Sequence, residues 1–270
     1  ASEVGWIFRS SNNGKSWIDI NDEYTAEGVE DFIISNSKLY ASKNDNSGIL
    51  FISPDDGFTW NQVTIEEGKW ILGLYSNSKG VYINLKDKIL ISNDNGSSWS
   101  NITTSFNPWI DQAFIKDDIL YAYASGTIYT SIDNGGNWNS AQYRTNGLTA
   151  TSIYVNESNI FVGFWGGGVG RNSIGIDEAW SVKNNELFLN NSRDIEIMND
   201  TVFVGTESSF VRTSYNQGET WAKELNQFEL ITGSASHLSV FRNALYVGTG
   251  GAGVRKRNQM QKEWLTVSSD

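Results

Sequence analysis

The sequence predicts an all-β fold built from repeated four-stranded antiparallel sheets. Three observations support it: a tryptophan-terminated segment that recurs about every 41 residues, short strands of alternating polarity before it, and no segment with helical periodicity. Composition agrees, because 13% aromatic and only 19% charged residues are typical of a folded chain, whereas disorder and long solvated helices need more charge.

The recurring segment follows the pattern Ser-x-Asp-x-Gly-x-x-Trp in its best-preserved copies. Successive copies are separated by 43, 39, 39, 42, 41 and 43 residues. The repeats accordingly end near residues 20, 64, 103, 141, 183, 225 and 268, and we expect one domain over residues 1–270. The copies end at Trp17, Trp60, Trp99, Trp138, Trp180, Trp221 and Trp264.

Each repeat is predicted to contain four strands, named A, B, C and D in chain order. Strands A and B form a hairpin, because two alternating runs flank a short turn rich in Asn, Asp and Ser. Strand C leads into the tryptophan-terminated segment, which is the C–D turn. The clearest hairpins are segments 32–42, 152–164, 194–206 and 238–249, and the clearest C strands are 48–53, 88–92, 127–131 and 210–214.

A four-stranded sheet of this length cannot bury both of its faces alone, so successive sheets must stack. Radial stacking closes into a β-propeller, with each sheet as a blade. The chain has seven C–D units but six A–B hairpins. We favour seven blades with a partial first blade whose inner strands belong to upstream sequence. The alternatives are six blades with an extra N-terminal hairpin, and an incomplete ring completed by another chain.

The pattern Ser-x-Asp-x-Gly-x-x-Trp resembles the Asp-box, also called the BNR repeat. This repeat occurs in sialidases, in two-propeller xyloglucanases, in sortilin-type receptors and in photosystem assembly factors. The resemblance covers nearly the whole chain and implies the propeller fold. It implies little about function, because these proteins share the turn and little of their chemistry.

The residues of the repeated turn are predicted to be structural. The Asp accepts hydrogen bonds from the turn backbone, the Gly tolerates positive φ, and the Trp packs between neighbouring sheets. Asn12 and Asn216 replace the Asp and keep the acceptor, whereas Gly175 and Gln259 do not. The predicted structural residues are Asp55, Gly57 and Trp60, then Asp94, Gly96 and Trp99, then Asp133, Gly135 and Trp138.

Charge and composition exclude several partners. The formal charge of -11 repels phosphate backbones, so nucleic acid is not expected, and no apolar run reaches the length that membrane insertion requires. With one His and no Cys we expect no metal site, and we expect no cofactor. The lack of Cys and the start at Ala1 favour a secreted or periplasmic protein.

We expect any ligand on the face formed by the D–A and B–C loops, opposite the repeated turns. Trp70, Trp109 and Trp165 fall in or beside these loops. An exposed indole stacks well on sugars or on protein side chains, and packing between blades is the alternative for each. Arginine there could bind an acidic or hydroxyl-rich ligand, with surface ion pairing as the alternative. The other candidates are Asp111, Tyr143, Arg144, Arg193 and Asp194.

No catalytic residues are assigned. A sialidase needs three converging arginines, and Phe8-Arg9-Ser10-Ser11 lacks the Ile and Pro of the sialidase segment that carries one of them. We therefore expect a noncatalytic module that binds a glycan or a protein. The sequence specifies neither the identity of this ligand nor the oligomeric state. The alternatives are an assembly or receptor scaffold and a glycoside hydrolase. Carboxylates for hydrolysis would come from Asp31, Glu66, Glu67, Asp111 and Asp194.

Overall fold

The described part of the chain contains strands and no helix. The predicted all-β fold of four-stranded antiparallel sheets is confirmed. The computed structural model describes residues 7–12, 15–21, 28–43, 45–103, 109–141, 148–174, 181–182, 191–207, 210–223, 234–249, 253–258 and 264–267.

The chain divides into two compact units. The first comprises residues 1–9 and 17–141, and the second comprises residues 10–16 and 142–270. The first unit begins with a two-stranded sheet of β1 (Phe8–Arg9) and β2 (Ile18–Asp19). Its four-stranded sheets are β3 (Val29–Ser35), β4 (Lys38–Lys43), β5 (Ile49–Ser53) and β6 (Asn61–Thr64); β7 (Gly73–Asn77), β8 (Gly80–Asn84), β9 (Ile89–Ser92) and β10 (Ser100–Asn101); and β11 (Ile110–Lys116), β12 (Ile119–Ala124), β13 (Thr127–Ser131) and β14 (Asn139–Ala141).

The second unit contains three further four-stranded sheets in its described residues. Strands pair antiparallel in chain order in every four-stranded sheet, so they take the roles A to D. The sheets are β15 (Ala150–Val155), β16 (Asn159–Phe164), β17 (Gly168–Ser173) and β18 (Ser181–Val182); β19 (Ser192–Met198), β20 (Thr201–Thr206), β21 (Phe210–Ser214) and β22 (Ala222–Lys223); and β23 (Ala235–Phe241), β24 (Ala244–Thr249), β25 (Gly253–Asn258) and β26 (Trp264–Val267).

Four of the six A–B turns have two consecutive residues in the left-handed region. Asn36 and Ser37 have φ of 49° and 61°, and Asn199 and Asp200 have φ of 48° and 64°. Two consecutive residues with positive φ form the type I′ turn that suits the twist of a hairpin. Asn and Asp are the non-glycine residues that best tolerate this conformation, which explains their abundance between strands A and B.

The hydrophobic core lies between successive sheets. In the first unit, Tyr40, Leu50 and Ile52 of one sheet pack against Leu74 and Ile83 of the next. The second unit repeats the arrangement, with a core that joins the sheets of β15–β18 and β19–β22. The sheets of β3–β6, β7–β10 and β19–β22 thus contribute apolar side chains to a core on each of their two faces.

The turn between strands C and D is held by its own Ser and Asp. We call it the box turn; residues 92–99 are one copy. Gly96 N donates to Ser92 Oγ over 2.8 Å, and Ser98 N donates to Asp94 Oδ1 over 2.8 Å. The Ser98 hydroxyl, the Ser98 amide and the Ser92 hydroxyl lower the pKa of Asp94 to about 2. Asn216 makes the equivalent bond, because its Oδ1 accepts from Thr220 N over 2.9 Å.

Four of the described box turns also contact the preceding sheet through their glycine. Trp60 Nε1 donates to the carbonyl of Ile20 over 3.0 Å, and Trp138 Nε1 donates to the carbonyl of Ile102 over 2.8 Å. The glycine fits closely as well, since a Cβ at Gly96 would lie 2.6 Å from Ile52 Cδ1. The box turn therefore locks neighbouring sheets together in addition to reversing the chain.

Gly96→Ala should destabilise the protein by about 2 to 5 kcal/mol. The left-handed backbone costs an Ala about 1 to 2 kcal/mol, and the contact with Ile52 adds about 1 to 3 kcal/mol of overpacking. Gly68→Ala is the matched control, because Gly68 has φ of +75° with no atom within 4 Å of the added Cβ. Urea denaturation of both variants measures the difference. Equal losses in the two variants would contradict a role for the close approach.

Candidate functional site

The two ends of the sheets differ in what they present. A–B turns and box turns share one end, where Asn36 Nδ2 donates to Asn95 Oδ1 over 2.9 Å and Asn156 Nδ2 donates to Gln217 Oε1 over 3.1 Å. The D–A and B–C loops share the other end, where Ile65 N donates to the carbonyl of Gly48 over 2.8 Å. We call this second end the loop face, and describe it separately for each unit.

In the second unit, Trp165 is the most prominent aromatic side chain on the loop face. It lies in the loop between β16 and β17, and 51% of its surface is exposed. The guanidinium carbon of Arg193, the second residue of β19, lies 5.4 Å from the centroid of its ring. This is the distance of a cation–π contact, so the arginine is held beside the indole.

Arg193 is fixed from its other side by Glu207 and Asn191. Arg193 Nη2 lies 2.7 Å from Glu207 Oε1, and Asn191 Nδ2 donates to the other oxygen of the same carboxylate. Asn191 also accepts from Gly166 N over 2.7 Å, which ties the tryptophan loop to the next sheet. These bonds from Asn191 and Arg193 lower the pKa of Glu207. Trp165, Arg193, Glu207 and Asn191 together form what we call the Trp165 patch.

Asp194 and His237 lie close to this patch, but their geometry is that of sheet contacts. Asp194 Oδ2 accepts from Leu238 N on the next sheet, and its Oδ1 accepts from Ile195 N, each over 2.8 Å. Desolvation and the positive charge of Arg193 lower the pKa of His237. Asp194 is thus engaged on both oxygens, and the lowered pKa leaves His237 neutral near neutral pH.

Asp31 in the first unit repeats the geometry of Asp194. Its Oδ2 accepts from Leu74 N on the next sheet and its Oδ1 accepts from Phe32 N, each over 2.8 Å. Burial raises the pKa of Asp31 to about 6, against the lowering effect of these two bonds. The carboxylate therefore joins the inner strands of two successive sheets.

Sequence reasoning missed Glu196, which lies two residues after Asp194 on β19. Burial, and then the charge of Asp194, raise the pKa of Glu196 to about 8, so this carboxyl is mostly protonated at neutral pH. Burial and the Glu196 charge raise the pKa of Tyr154 to about 12. Glu196 occupies the position of strand A that Ile33 and Tyr75 occupy in the first unit. Because other repeats have an apolar or aromatic residue there, the repeat pattern does not indicate a buried carboxyl at this position.

The first unit presents a second aromatic group with a cation. Lys86 Nζ lies 4.2 Å from the centroid of the Trp109 ring, and Ile110 N donates to the Lys86 carbonyl over 2.5 Å. The Trp109 side chain is 57% exposed. Here the cation is on the B–C loop and the indole precedes strand A, the reverse of their places at Trp165. We call Lys86 and Trp109 the Trp109 patch.

Trp70 and Asp111 lie near this patch in the chain. Trp70 is exposed and follows Lys69, whose Nζ lies 2.7 Å from Asp87 Oδ2 in the B–C loop. A second ion pair joins Lys88 Nζ to Glu66 Oε2 over 2.8 Å. Asp111 is half-buried in strand β11. Opposite charges therefore alternate along these two loops.

The sequence-predicted candidates fall into three groups. Trp70, Trp109 and Asp111 belong to the first unit, and Trp165, Arg193 and Asp194 belong to the second. Tyr143 and Arg144 lie outside the described residues. Sequence reasoning missed Lys86, Asn191 and Glu207, which could have been found only from strand register, because each flanks a strand end on the loop face.

Two further searches concern the described residues only. Within the ranges given above, no three His, Cys, Asp or Glu side chains are grouped so as to hold a metal ion. No helix in the same ranges is long and apolar enough to cross a membrane.

Known structures resemble this chain although known sequence families do not. No protein-family model and no curated protein matches it. YCF48 bound to D1 peptide superposes with a TM-score of 0.66 at 15% identity, over 87% of this chain and 79% of that one. The extracellular domain of BT4673 from B. thetaiotaomicron gives 0.68 at 18%, over 88% of this chain and 32% of that one.

A third similar structure is the GH74 xyloglucanase from Xanthomonas campestris. It gives a TM-score of 0.73 at 13% identity, over 99% of this chain and 52% of that one. This chain thus spans about half the length of the xyloglucanase and about a third of the BT4673 domain. All three are β-propeller proteins, so the fold is a β-propeller. Identities this low are informative about the fold alone.

Asp31→Asn should remove a pH dependence of stability. The folded-state pKa of about 6 exceeds the ordinary 3.8, so the folded protein binds more protons between these values and unfolding becomes easier as pH rises. Asp31 therefore lowers the free energy of unfolding by about 2 kcal/mol from pH 4 to pH 7. Urea denaturation across this range should show a shallower slope for Asp31→Asn, and the wild-type slope for the exposed control Asp200→Asn. An unchanged slope in Asp31→Asn would contradict the assigned burial.

Arg193→Gln should raise the pKa of His237 by a small part of its shift from 6.5, because desolvation is the main cause of the lowered pKa and the Arg193 charge is a smaller one. His237 is the one histidine of the chain, so NMR titration of the imidazole protons reports on it directly. Arg242→Gln is the control, since the Arg242 guanidinium lies over Phe241. An identical titration in wild type and Arg193→Gln would show that the Arg193 charge does not act on the imidazole.

Proposed function

We propose that this protein is a noncatalytic binding protein that holds a segment of another protein on its loop face. The observation that supports it best is the pairing of an exposed indole with a cation in each unit. The Lys86 ammonium group lies over the Trp109 ring, and the Arg193 guanidinium lies over the Trp165 ring. More than half of each indole remains exposed, although burying it would be favourable.

Both patches are rigid enough to act as binding anchors. Asn191 and Glu207 hold Arg193 in place, and the backbone bond from Ile110 to Lys86 holds the two sides of the Trp109 patch together. A side chain that is already ordered loses little conformational entropy when a ligand binds. Tryptophan and arginine are also the residue types that most often dominate the binding energy of protein interfaces.

A protein segment suits the patches better than a sugar. A cation already occupies part of the ring surface on which a pyranose would stack, while Lys86 and Arg193 offer cationic donors for acidic side chains and backbone carbonyls of a peptide. The structure of YCF48 with a D1 peptide is that of a similar propeller with a peptide bound. This likeness supports a peptide ligand and does not identify one.

Glycoside hydrolysis is less well supported. Asp31 and Asp194, two of the carboxylates considered for it, accept backbone hydrogen bonds on both oxygens. A general acid or nucleophile needs an oxygen free to meet the substrate. We therefore assign no catalytic role to these residues.

We further propose that residues 1–270 act as one domain of a secreted or periplasmic protein, with box turns of the Asp-box type. Support for the location comes from the BT4673 neighbour, which is an extracellular domain. Support for the turn type comes from Ser53, Asp55 and Thr59, which are linked as Ser92, Asp94 and Ser98 are.

Selection from a phage-displayed peptide library, run beside a glycan array on the same preparation, tests the proposal. We expect peptides that bind with a shared motif, and no glycan binding. Trp165→Ala or Trp109→Ala should weaken the selected peptide at least about 30-fold, the loss typical of an interface anchor. Phe58→Ala and Tyr215→Ala, exposed aromatics of box turns, are the matched controls.

Calorimetric titration with a selected peptide gives the dissociation constants. Glycan binding without peptide binding would contradict the protein-segment ligand. Peptide binding that survives both tryptophan substitutions would contradict the loop face as its site.

A further inference from the structure

A cation of the preceding sheet contacts the fourth residue of the box turn. In the second unit this residue is Gln217, whose carbonyl accepts from Arg171 Nη1 over 2.7 Å. Arg171 Nη2 lies 2.5 Å from Oε1 of Glu219, the sixth residue of the same turn. The guanidinium of Arg171 thus joins β17 to the box turn of the next sheet.

The first unit shows the same kind of contact twice. Arg9 Nη2 lies 3.3 Å from Asp56 Oδ2, and the guanidinium carbon of Arg9 lies 5.4 Å from the centroid of the Phe58 ring. Lys38 Nζ donates to the Asn95 carbonyl over 3.3 Å. Asp56 and Asn95 are the fourth residues of their box turns, and Phe58 is the sixth. Three box turns therefore receive a cation at the same place, and two of these cations are arginines.

The box turn of residues 131–138 differs from these three. Its fourth residue is Asn134, with the same φ of 58° as Asn95. The Tyr82 hydroxyl lies 3.2 Å from Asn134 Oδ1. Among the residues that the structure describes, no Lys or Arg side chain bonds to Asn134. The conformation of the turn is thus kept, and the cation is missing.

The sequences of the two sheets explain the missing cation. Ile91 takes the place of Arg171, because each pairs with a buried aromatic residue of strand B. Gly80 takes the place of Lys38, because each lies two residues before a buried tyrosine of strand B. The sixth residue of the turn is Gly136, which has no side chain to contact a cation.

A groove with a volume of about 630 Å³ opens at this place. Small-ligand sites range from about 300 to 1,000 Å³, so the groove has room for a side chain of a partner. It lies between the β7–β10 sheet and the box turn of the next sheet. The residues that line it include Lys79, Ile91, Asn93, Asp133, Asn134 and Gly136.

The charges around the groove favour a cationic ligand. The Asn137 backbone and side chain, followed by the Ser131 hydroxyl, lower the pKa of Asp133, so this carboxylate is ionised at neutral pH. The net charge of the chain is -11, which also attracts cations. Lys79 is the one cation among the lining residues, and its charge opposes this attraction in part.

We propose that this groove binds an arginine side chain of a second polypeptide. The guanidinium donates to the Asn134 carbonyl, as Arg171 donates to the Gln217 carbonyl, and the aliphatic part of the arginine lies along Ile91. Arginine suits the groove better than lysine because a planar guanidinium donates to two acceptors at once, as Arg171 does. The arginine contacts within this chain therefore indicate the ligand of the groove.

The groove is distinct from the loop face. It lies at the end of the sheets where the box turns and the A–B turns meet, and neither Trp109 nor Trp165 lines it. Failure of either proposal leaves the other standing.

NMR titration of the ¹⁵N-labelled full chain with Nα-acetylarginine amide tests the proposal. We expect saturable shifts of the Asn134, Gly135 and Gly136 amides. Nα-acetylcitrulline amide has nearly the same shape without the charge. It should bind about two- to fivefold more weakly, the contribution of one exposed ion pair.

Gly136→Glu should tighten binding of the arginine amide about two- to fivefold, because it supplies the carboxylate that Glu219 offers to Arg171. Ser97→Glu is the matched control. Ser97 is the sixth residue of the box turn whose carbonyl already accepts from Lys38, so this change should leave the affinity at Asn134 unaltered.

Asn93→Lys should weaken binding of the arginine amide about two- to fivefold, because it places a second cation at the groove. Asn61→Lys, at an exposed asparagine of β6, makes the same change of charge away from the groove and should leave the affinity unaltered. Asn93 is exposed, so thermal unfolding of Asn93→Lys should match that of the wild type.

Three outcomes would overturn the proposal. The first is that the arginine amide shifts none of the three box-turn amides in the wild type. The second is that the citrulline amide binds as tightly as the arginine amide, which would exclude recognition of the charge. The third is that Asn93→Lys folds like the wild type and binds the arginine amide equally well.

Discussion

The structure depends on the contact between successive sheets. A sheet with apolar side chains on both faces is unstable in water unless both faces are covered, and the β7–β10 sheet is covered on both, by the β3–β6 and β11–β14 sheets. The box turn strengthens this contact at the periphery, where Trp60 and Trp138 donate to carbonyls of the preceding sheet. Asp31 and Asp194 strengthen it at the inner strands. The residues of one repeat therefore stabilise both its own sheet and its contact with the neighbouring sheet.

Because the box turns make the sheet contacts, the side chains of the loop face are under fewer structural constraints. Box turns are committed to sheet contacts, whereas the D–A and B–C loops need only connect strands. The Trp165 patch and the Trp109 patch use equivalent places with the aromatic and the cation exchanged. The scaffold thus fixes where two loops meet, and the residues of those loops decide which side chains are exposed there.

The sequence allowed much of the fold to be predicted and less of the site. The repeat predicted the strands and their antiparallel order, because turn residues and alternation are local properties. It ranked Asp194 with Arg193 as a ligand candidate, yet the carboxylate accepts two backbone amides. Partners such as Glu207 for Arg193 were not predicted, since the two are brought together by the pairing of β19 with β20.

The sequence by itself determined the all-β class and the repeated turn. It also determined that the D–A and B–C loops lie at the end of the sheets opposite this turn. These follow from local chemistry: which residues tolerate positive φ, which alternate, and where tryptophan recurs. Only the tertiary structure decided that Asp31 joins two sheets, that cations lie over Trp109 and Trp165, and that Phe32 is exposed while Leu74 is buried. The burial and the electrostatic environment of a residue depend on which side chains of the neighbouring repeat lie opposite it. The sequence around the residue does not specify those side chains.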